Sequence, residues 1–278
     1  MLLLIQIILL LIALGLLIPC IVLLIECSAA FLPSRSETGE VGERPSKIAV
    51  LVPAHNEASE IATSLKTILP QLTPQDQLVV VADNCTDGTA AIARNLGVTV
   101  IEREDSQRRG KGYALDYGLQ FLETNPPQVV VTVDSDCLVA ENTIDRIARL
   151  AHATNRPVQA TYLMEQPAKP GPKDIVSALA VIVKNCVRPY GLARLGLPCL
   201  LTGSGIAFPW TVIRQVSLAN SKTCDDMQLG IDLAIVGHPP LYCHQGQVTG
   251  RLMEDRFAKS QRSRWEHGHI ENLLTEFP

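Results

Sequence analysis

Unbroken apolar runs and amphipathic segments alternate along the chain, and their order outlines an architecture. From Leu2 to Ile25 the only polar residue is Gln6, and residues 7–25 are continuously apolar. That stretch is long enough to span a bilayer with some tilt. Residues 48–52, Ile-Ala-Val-Leu-Val, form a short apolar run stopped by Pro53. Similar runs at 78–81, 98–101 and 129–133 are rich in β-branched residues, as buried strands of a parallel sheet are. Between them apolar residues recur at helical spacing: Ile61, Leu65, Ile68 and Leu69 before Pro70, then Leu115, Leu119 and Leu122. A small-residue helix follows Thr89, and further helices are expected from Glu141 and through Met227, Leu229 and Leu233. Alternation of strand and helix predicts an α/β fold with a mainly parallel sheet covered on both faces.

Three of these strands end in polar clusters: His55-Asn56-Glu57, Asp83 to Asp87, and Asp134-Ser135-Asp136. Ligands of open α/β sheets sit beyond the carboxyl ends of the strands, so three such ends on one edge describe a ligand site. Asp134 and Asp136 directly follow the run at 129–133. Paired carboxylates there suit Mg2+, which is held by one or two carboxylates plus substrate phosphates. Taken alone they suit a helix N-terminus equally well. Arg108, Arg109 and Lys111 add positive charge in a loop flanked by Gly110 and Gly112, where backbone can approach a phosphate closely. This loop is not a P-loop, because Lys111 is followed by glycine, and no G-x-G-x-x-G follows the first strand.

Composition narrows the class. A net charge of −4 over 278 residues, with no basic stripe, gives no reason to expect a nucleic-acid partner. The eight cysteines show neither a C-x-x-C pair nor zinc spacing, as expected of reduced thiols in a cytosolic compartment. The N-terminal segment lacks the basic n-region and the cleavage site of a signal peptide. It is therefore expected to be a retained transmembrane anchor over residues 1–27, followed by a Gly/Pro-rich linker over 28–46 and a catalytic domain over 47–278. Arg35, Arg44 and Lys47 follow the anchor and no Lys or Arg precedes it, which places the domain in the cytoplasm, at a bacterial inner or plasma membrane.

Taken in order, the motifs resemble family 2 glycosyltransferases, the inverting GT-A-fold enzymes that include cellulose, chitin and hyaluronan synthases and ceramide glucosyltransferases. The matching stretches are Val52 to Glu57, Asp83 to Thr89, Gly110 to Leu115, Asp134-Ser135-Asp136, Thr202 to Gly205, Cys224-Asp225-Asp226 and Gln261 to Trp265. Each is short, and the ordered set is what is specific. The resemblance implies a membrane-associated enzyme moving a sugar from a nucleotide diphosphate, UDP first, to a lipid-linked or glycan acceptor. Pro53, His55, Asn56, Glu57 and Asp83 would hold the nucleotide, with Lys111 beside it. Asp134 and Asp136 would form a D-x-D that binds Mg2+ or Mn2+, Asp136 being the direct ligand. Asp226 would be the general base, although Cys-Asp-Asp where relatives carry Thr-Glu-Asp leaves Asp225 as an alternative. Gly203, Ser204 and Gly205 would form a turn by the acceptor. Gln261, Arg264 and Trp265 match Q-x-x-R-W, with Arg264 facing the leaving diphosphate and Trp265 the acceptor.

Residues 174–197 mix apolar positions with Lys184, Arg188 and Arg194 around Pro189, which suits an interfacial helix or an ordinary helix over the sheet. Processive synthases of the family continue into further membrane helices, whereas this chain stops thirteen residues after Trp265. The expectation is therefore either a truncated catalytic domain or transfer of a single sugar. The alternative reading is a catalytically silent sugar-nucleotide-binding module that regulates a membrane partner and could dispense with Asp226.

Overall fold

The structure is a computed structural model that describes residues 2–33, 42–219 and 225–251. Helix α1 (Leu2–Ala29) is apolar on all sides and about 42 Å long at 1.5 Å per residue. It is one of two described helices long and apolar enough to cross a membrane, the other being Pro172–Arg194.

The domain opens with β1 (Ile48–Ala54), α2 (Ile61–Ile68), β2 (Gln77–Asp83), α3 (Thr89–Asn95), β3 (Thr99–Arg103), α4 (Lys111–Leu122) and β4 (Val129–Thr132). Strand order β3-β2-β1-β4 is wholly parallel, with Val50 opposite both Leu78 and Val131. This is the half that the apolar runs predict. Residues alternate between faces with the two-residue period of a strand. Val50, Val52 and Val131 join Ile61, Leu65, Ile144 and Ile147 in one core. Leu51, Val79 and Val130 join Leu115, Leu119, Phe208 and Leu233 in the other.

The chain continues with β5 (Cys137–Val139), α5 (Thr143–Thr154), β6 (Val158–Met164), α6 (Pro172–Ile182), a π turn (Val183–Val187), α7 (Arg188–Arg194), β7 (Ile206–Pro209), the single turn α8 (Trp210–Ile213), α9 (Asp225–Ile235) and β8 (Leu241–Gly250). These strands extend one mixed sheet in the order β4-β7-β6-β8-β5. Strand β7 runs antiparallel to β4 and β6, and β5 antiparallel to β8. The apolar-run reading does not place these strands. β5 and β7 are only three and four residues long, and β8 carries His244, Gln245 and Gly246, so neither length nor alternation marks them.

The end of the expected linker is fastened to the domain through Asp76. Its fully buried carboxylate accepts Arg44 Nη2 at 2.6 Å and, at 2.8 Å each, the Ile48 and Thr73 amides and the Thr73 hydroxyl. Burial raises its pKa, but the Arg44 and Thr73 bonds with the Ile48 amide outweigh it and hold the group below its ordinary 3.8. A depressed folded pKa contributes stability that is complete above the unfolded value of about 3.9 and fades as pH falls through the folded value. Asp76→Ala is expected to cost about 3 kcal/mol at neutral pH, through lost charged hydrogen bonds and orphaned donors. Denaturant titration at pH 7 and below pH 4 checks this, with the gap from wild type narrowing in acid.

The C-terminal end of α1 packs on α7. Arg188 Nε meets Glu26 Oε2 at 2.5 Å, and Gly191 lets the helices approach so closely that a Cβ there would collide with the Glu26 carbonyl. No residue of α6 is buried, and Ile175, Val176, Leu179 and Ile182 are exposed, so its apolar face does not cover the sheet. The π turn instead ties this helical arm to the domain, with Asn185 Nδ2 donating to the Tyr162 carbonyl at 3.0 Å.

Candidate functional site

Beyond the carboxyl ends of β1, β2 and β4 lies a cavity of about 340 Å3. Its wall includes Pro53, His55, Glu57, Asp83, Lys111, Asp134 and Asp136, so seven expected site residues meet in one place. Asn84, Arg109, Gly110, Ala114 and Ser135 complete the lining with Ala54. The volume is within the range of small-ligand pockets, about 300–1,000 Å3.

The first two polar strand ends are stitched together. His55 Nδ1 donates to the Asp83 carbonyl at 2.7 Å, the Thr86 amide donates to Asn56 Oδ1 at 2.7 Å, and the Glu57 amide donates to Thr89 Oγ1 at 2.8 Å. Asp87 accepts the Ala58 and Thr89 amides, which makes it the cap of this junction. Asn56 and Asn84 adopt left-handed conformations, φ 57° and 51°, that asparagine tolerates better than most residues. Asn56 therefore shapes the loop and is not among the lining residues. Asp83 is buried and paired at 2.6 Å with Arg103, whose guanidinium also meets Asp105 and lies 5.6 Å from the Tyr113 ring centroid. Sequence reading missed Arg103 because β3 runs two residues beyond its apolar run, so the arginine ends a strand instead of starting a loop.

The second half of the site centres on Lys111, the first residue of α4. Its Nζ lies 2.6 Å from Asp134 Oδ1 and 3.9 Å from Asp226 Oδ1, and donates to the Gly203 carbonyl. Asp134, Asp226 and Gly203 come from separate segments, and Lys111 joins them. Both carboxylates also hold the lysine's pKa above its ordinary value, against the opposing effect of burial. Burial pushes the Asp134 carboxyl up to about 6, with Lys111 opposing and Asp136 and Asp226 adding to the rise. Glu57 is raised to about 7, first by burial and then by Asp136, Asp87 and Asp134. Lys111 is one cation among four acids, Glu57, Asp134, Asp136 and Asp226, and that excess of acid suits a further cation.

Asp134, Asp136 and Cys137 offer ligand atoms within 4.8 Å of one another. Burial and the neighbouring carboxylates keep the Cys137 thiol protonated, and its Sγ donates to Asp136 Oδ1 at 3.5 Å. The usable donors are therefore two hard carboxylates, which fit an oxygen-preferring cation of the Mg2+ or Mn2+ kind and not a thiolate-seeking metal.

The Thr202–Gly205 turn lies against this cluster. The Asp134 amide donates to Ser204 Oγ at 3.0 Å, and a Cβ on Gly203 would come within 3.1 Å of Asp226 Oδ2. Gly203 and Gly205 have φ of +86° and +71°, so the turn needs glycine at both positions. Asp225 begins α9, but its side chain lies outside the described residues, as do Gln261, Arg264 and Trp265.

A family model described as "Glycosyltransferase like family 2" matches residues 45–268. Among curated proteins, 4,4'-diaponeurosporenoate glycosyltransferase of Staphylococcus aureus (strain MRSA252) is 34% identical over 92 residues, 32% of this chain and 24% of that protein. The match thus spans about a quarter of the relative's length. Among solved structures, mannosyltransferase PcManGT from Pyrobaculum calidifontis, in complex with GDP-Man and Mn2+, superposes with a TM-score of 0.69 at 20% identity, over 93% of this chain and 71% of that one. Glucosyl-3-phosphoglycerate synthase from Mycobacterium tuberculosis, in complex with Mn2+, UDP and phosphoglyceric acid, gives a TM-score of 0.54 at 22% identity, over 83% and 80% of the two chains. At these identities the structural likeness is one of fold.

Proposed function

The chain belongs to the family 2-like glycosyltransferases and has their GT-A fold, and from that premise we propose that it is a membrane-anchored inverting enzyme transferring a sugar from a nucleotide diphosphate, UDP first, to a lipid-linked or glycan acceptor. The observation that carries this reading is the convergence of Lys111, Asp134 and Asp136 on one cavity, with Asp226 behind them at 3.9 Å from the Lys111 ammonium. In the proposal Asp83, held by Arg103, binds the nucleoside, and the His55–Glu57 loop closes over it. Asp136 and Asp134 would hold Mg2+ or Mn2+, which would supply positive charge to the diphosphate. Lys111 adds positive charge on the same side. Asp226 removes the proton from the acceptor hydroxyl as it attacks the anomeric carbon. One base and one leaving group suffice for single displacement with inversion. Arg264 and Trp265 would complete the diphosphate and acceptor sides, with Gln261 beside them.

Helix α1 is proposed as the anchor, and the exposed apolar face of α6 as a second membrane contact that keeps the site near lipid-borne acceptors. Structural neighbours with bound GDP-Man and UDP-Glc support a nucleotide-sugar donor. Detergent-solubilised protein with Mn2+ and membrane lipid extract is to be assayed for nucleotide release across UDP-, GDP- and dTDP-sugars. Metal-dependent release from one donor supports the transferase. Tight donor binding without release supports the silent module.

Lys111 carries a separate prediction. Its ammonium pairs with Asp134 Oδ1 at 2.6 Å, so it would compete with a metal for that carboxylate. Lys111→Met is expected to raise Mn2+ affinity of the donor-free protein about tenfold, roughly 1.4 kcal/mol, while lowering turnover. Titration of Mn2+ followed by electron paramagnetic resonance measures the first effect directly.

A further inference from the structure

We infer that Gln159 is a positioning residue for the proposed transfer, holding the Thr202–Gly205 turn in the shape on which Asp134, Lys111 and Asp226 depend; this rests on the functional reading above. Gln159 belongs to none of the motifs. It is the second residue of β6 and 1% exposed. The β6–β7 ladder has only two pairs, Val158 opposite Ala207 and Gln159 opposite Ile206. Where the turn leaves the ladder, the Gln159 amide takes over its hydrogen bonding. Nε2 donates to the Ser204 carbonyl and the Ala160 carbonyl, both at 2.9 Å, and Oε1 accepts the Thr202 amide at 2.8 Å.

A primary amide donates two hydrogen bonds and accepts two; here both donors and one acceptor position are used, and two of the three bonds reach the same turn. The turn needs such a clamp. It contains two residues with left-handed φ, so its shape is held by its partners and not by local preference. The carbonyl of the second residue, Gly203, receives the Lys111 ammonium. The hydroxyl of the third, Ser204, receives the Asp134 amide at 3.0 Å. The α-carbon of Gly203 faces the Asp226 carboxylate, and the amide of Gly205 donates to the Thr132 carbonyl at 2.9 Å, just before the D-x-D. Moving the turn therefore moves the metal-binding strand end, the lysine and the floor beneath the base together. Gln159 itself touches none of the reacting groups.

The test uses the full-length protein in detergent. Gln159→Glu keeps an acceptor for Thr202 but turns oxygen on two carbonyls, and Gln159→Met keeps the volume and removes every bond. Ser204→Ala removes the hydroxyl that accepts the Asp134 amide and meets the Cys137 thiol, and leaves the Gln159 bonds to the turn backbone in place. For folded variants the expected result is a fall of about 10²-fold in kcat, the scale of a misplacement near 1 Å. KM for the donor should change less than threefold. Mn2+ affinity of the donor-free protein should fall about tenfold, as on loss of a group supporting a ligand. A folded Gln159 variant with wild-type kcat and Mn2+ affinity overturns the inference. If both Gln159 variants fail to fold, Ser204→Ala decides: wild-type Mn2+ affinity there overturns it, and a tenfold loss supports it. If wild type releases no nucleotide from any donor, the functional reading fails, while the Mn2+ comparison still reports on Gln159.

Discussion

Asp226→Asn is expected to lower sugar-transfer turnover about 10³-fold while leaving donor affinity within a few-fold of wild type. A positioned base contributes about 10² to 10⁴ in rate, and asparagine keeps the size of the side chain while losing its ability to take a proton. Asp226 is half-buried at the start of α9, with Oδ1 3.9 Å from Lys111 Nζ and Oδ2 toward Gly203. The Lys111 ammonium has a nearer partner in Asp134 at 2.6 Å, so the lysine stays in place when Asp226 loses its charge. The measurement is single-turnover transfer at saturating donor, with donor affinity taken separately by calorimetry. Turnover within tenfold of wild type would move the base elsewhere, with Asp225 next to be tested.

Asp136→Asn is expected to weaken Mn2+ binding more than tenfold and to lower metal-dependent turnover about 10³-fold, the several kcal/mol that a metal supplies to a departing oxyanion. The asymmetry between the two aspartates is the reason. Asp134 is already neutralised by Lys111, whereas Asp136 faces Glu57, Asp134 and the Cys137 thiol and raises the pKa of the first. It is the carboxylate with most to gain from a cation. Mn2+ titration of the donor-free protein, followed by nucleotide release with and without metal, checks both parts. Unchanged Mn2+ affinity would remove Asp136 from the metal site.

Much of the site was legible because strands announce their own ends. Three apolar runs stop at polar clusters, and the rule that ligands sit beyond the carboxyl ends of a parallel sheet brings the clusters together without coordinates. Pro53, His55, Glu57, Asp83, Lys111, Asp134 and Asp136 do line one cavity. What stayed hidden was each residue's task. Asn56 fits the same motif as Glu57 yet spends its side chain on Thr86. Lys111 was expected beside the nucleotide and also binds the D-x-D. Arg103 and Gln159 have no motif at all, because their partners become neighbours only through strand pairing.

The sequence by itself determined the parallel half of the sheet, the apolar N-terminal helix and the family. These rest on periodicity, run length and ordered motifs, all readable over short windows. Tertiary structure alone decided that β7 inserts beside β4, that β8 and β5 close the sheet, and that α6 leaves its apolar face open. It alone decided that Lys111 reaches Gly203 across 92 residues and that the Asp134 amide reaches Ser204 across 70. Such contacts are set by which strands pair and in what register. A local pattern carries the propensity of each segment but not the identity of its partner.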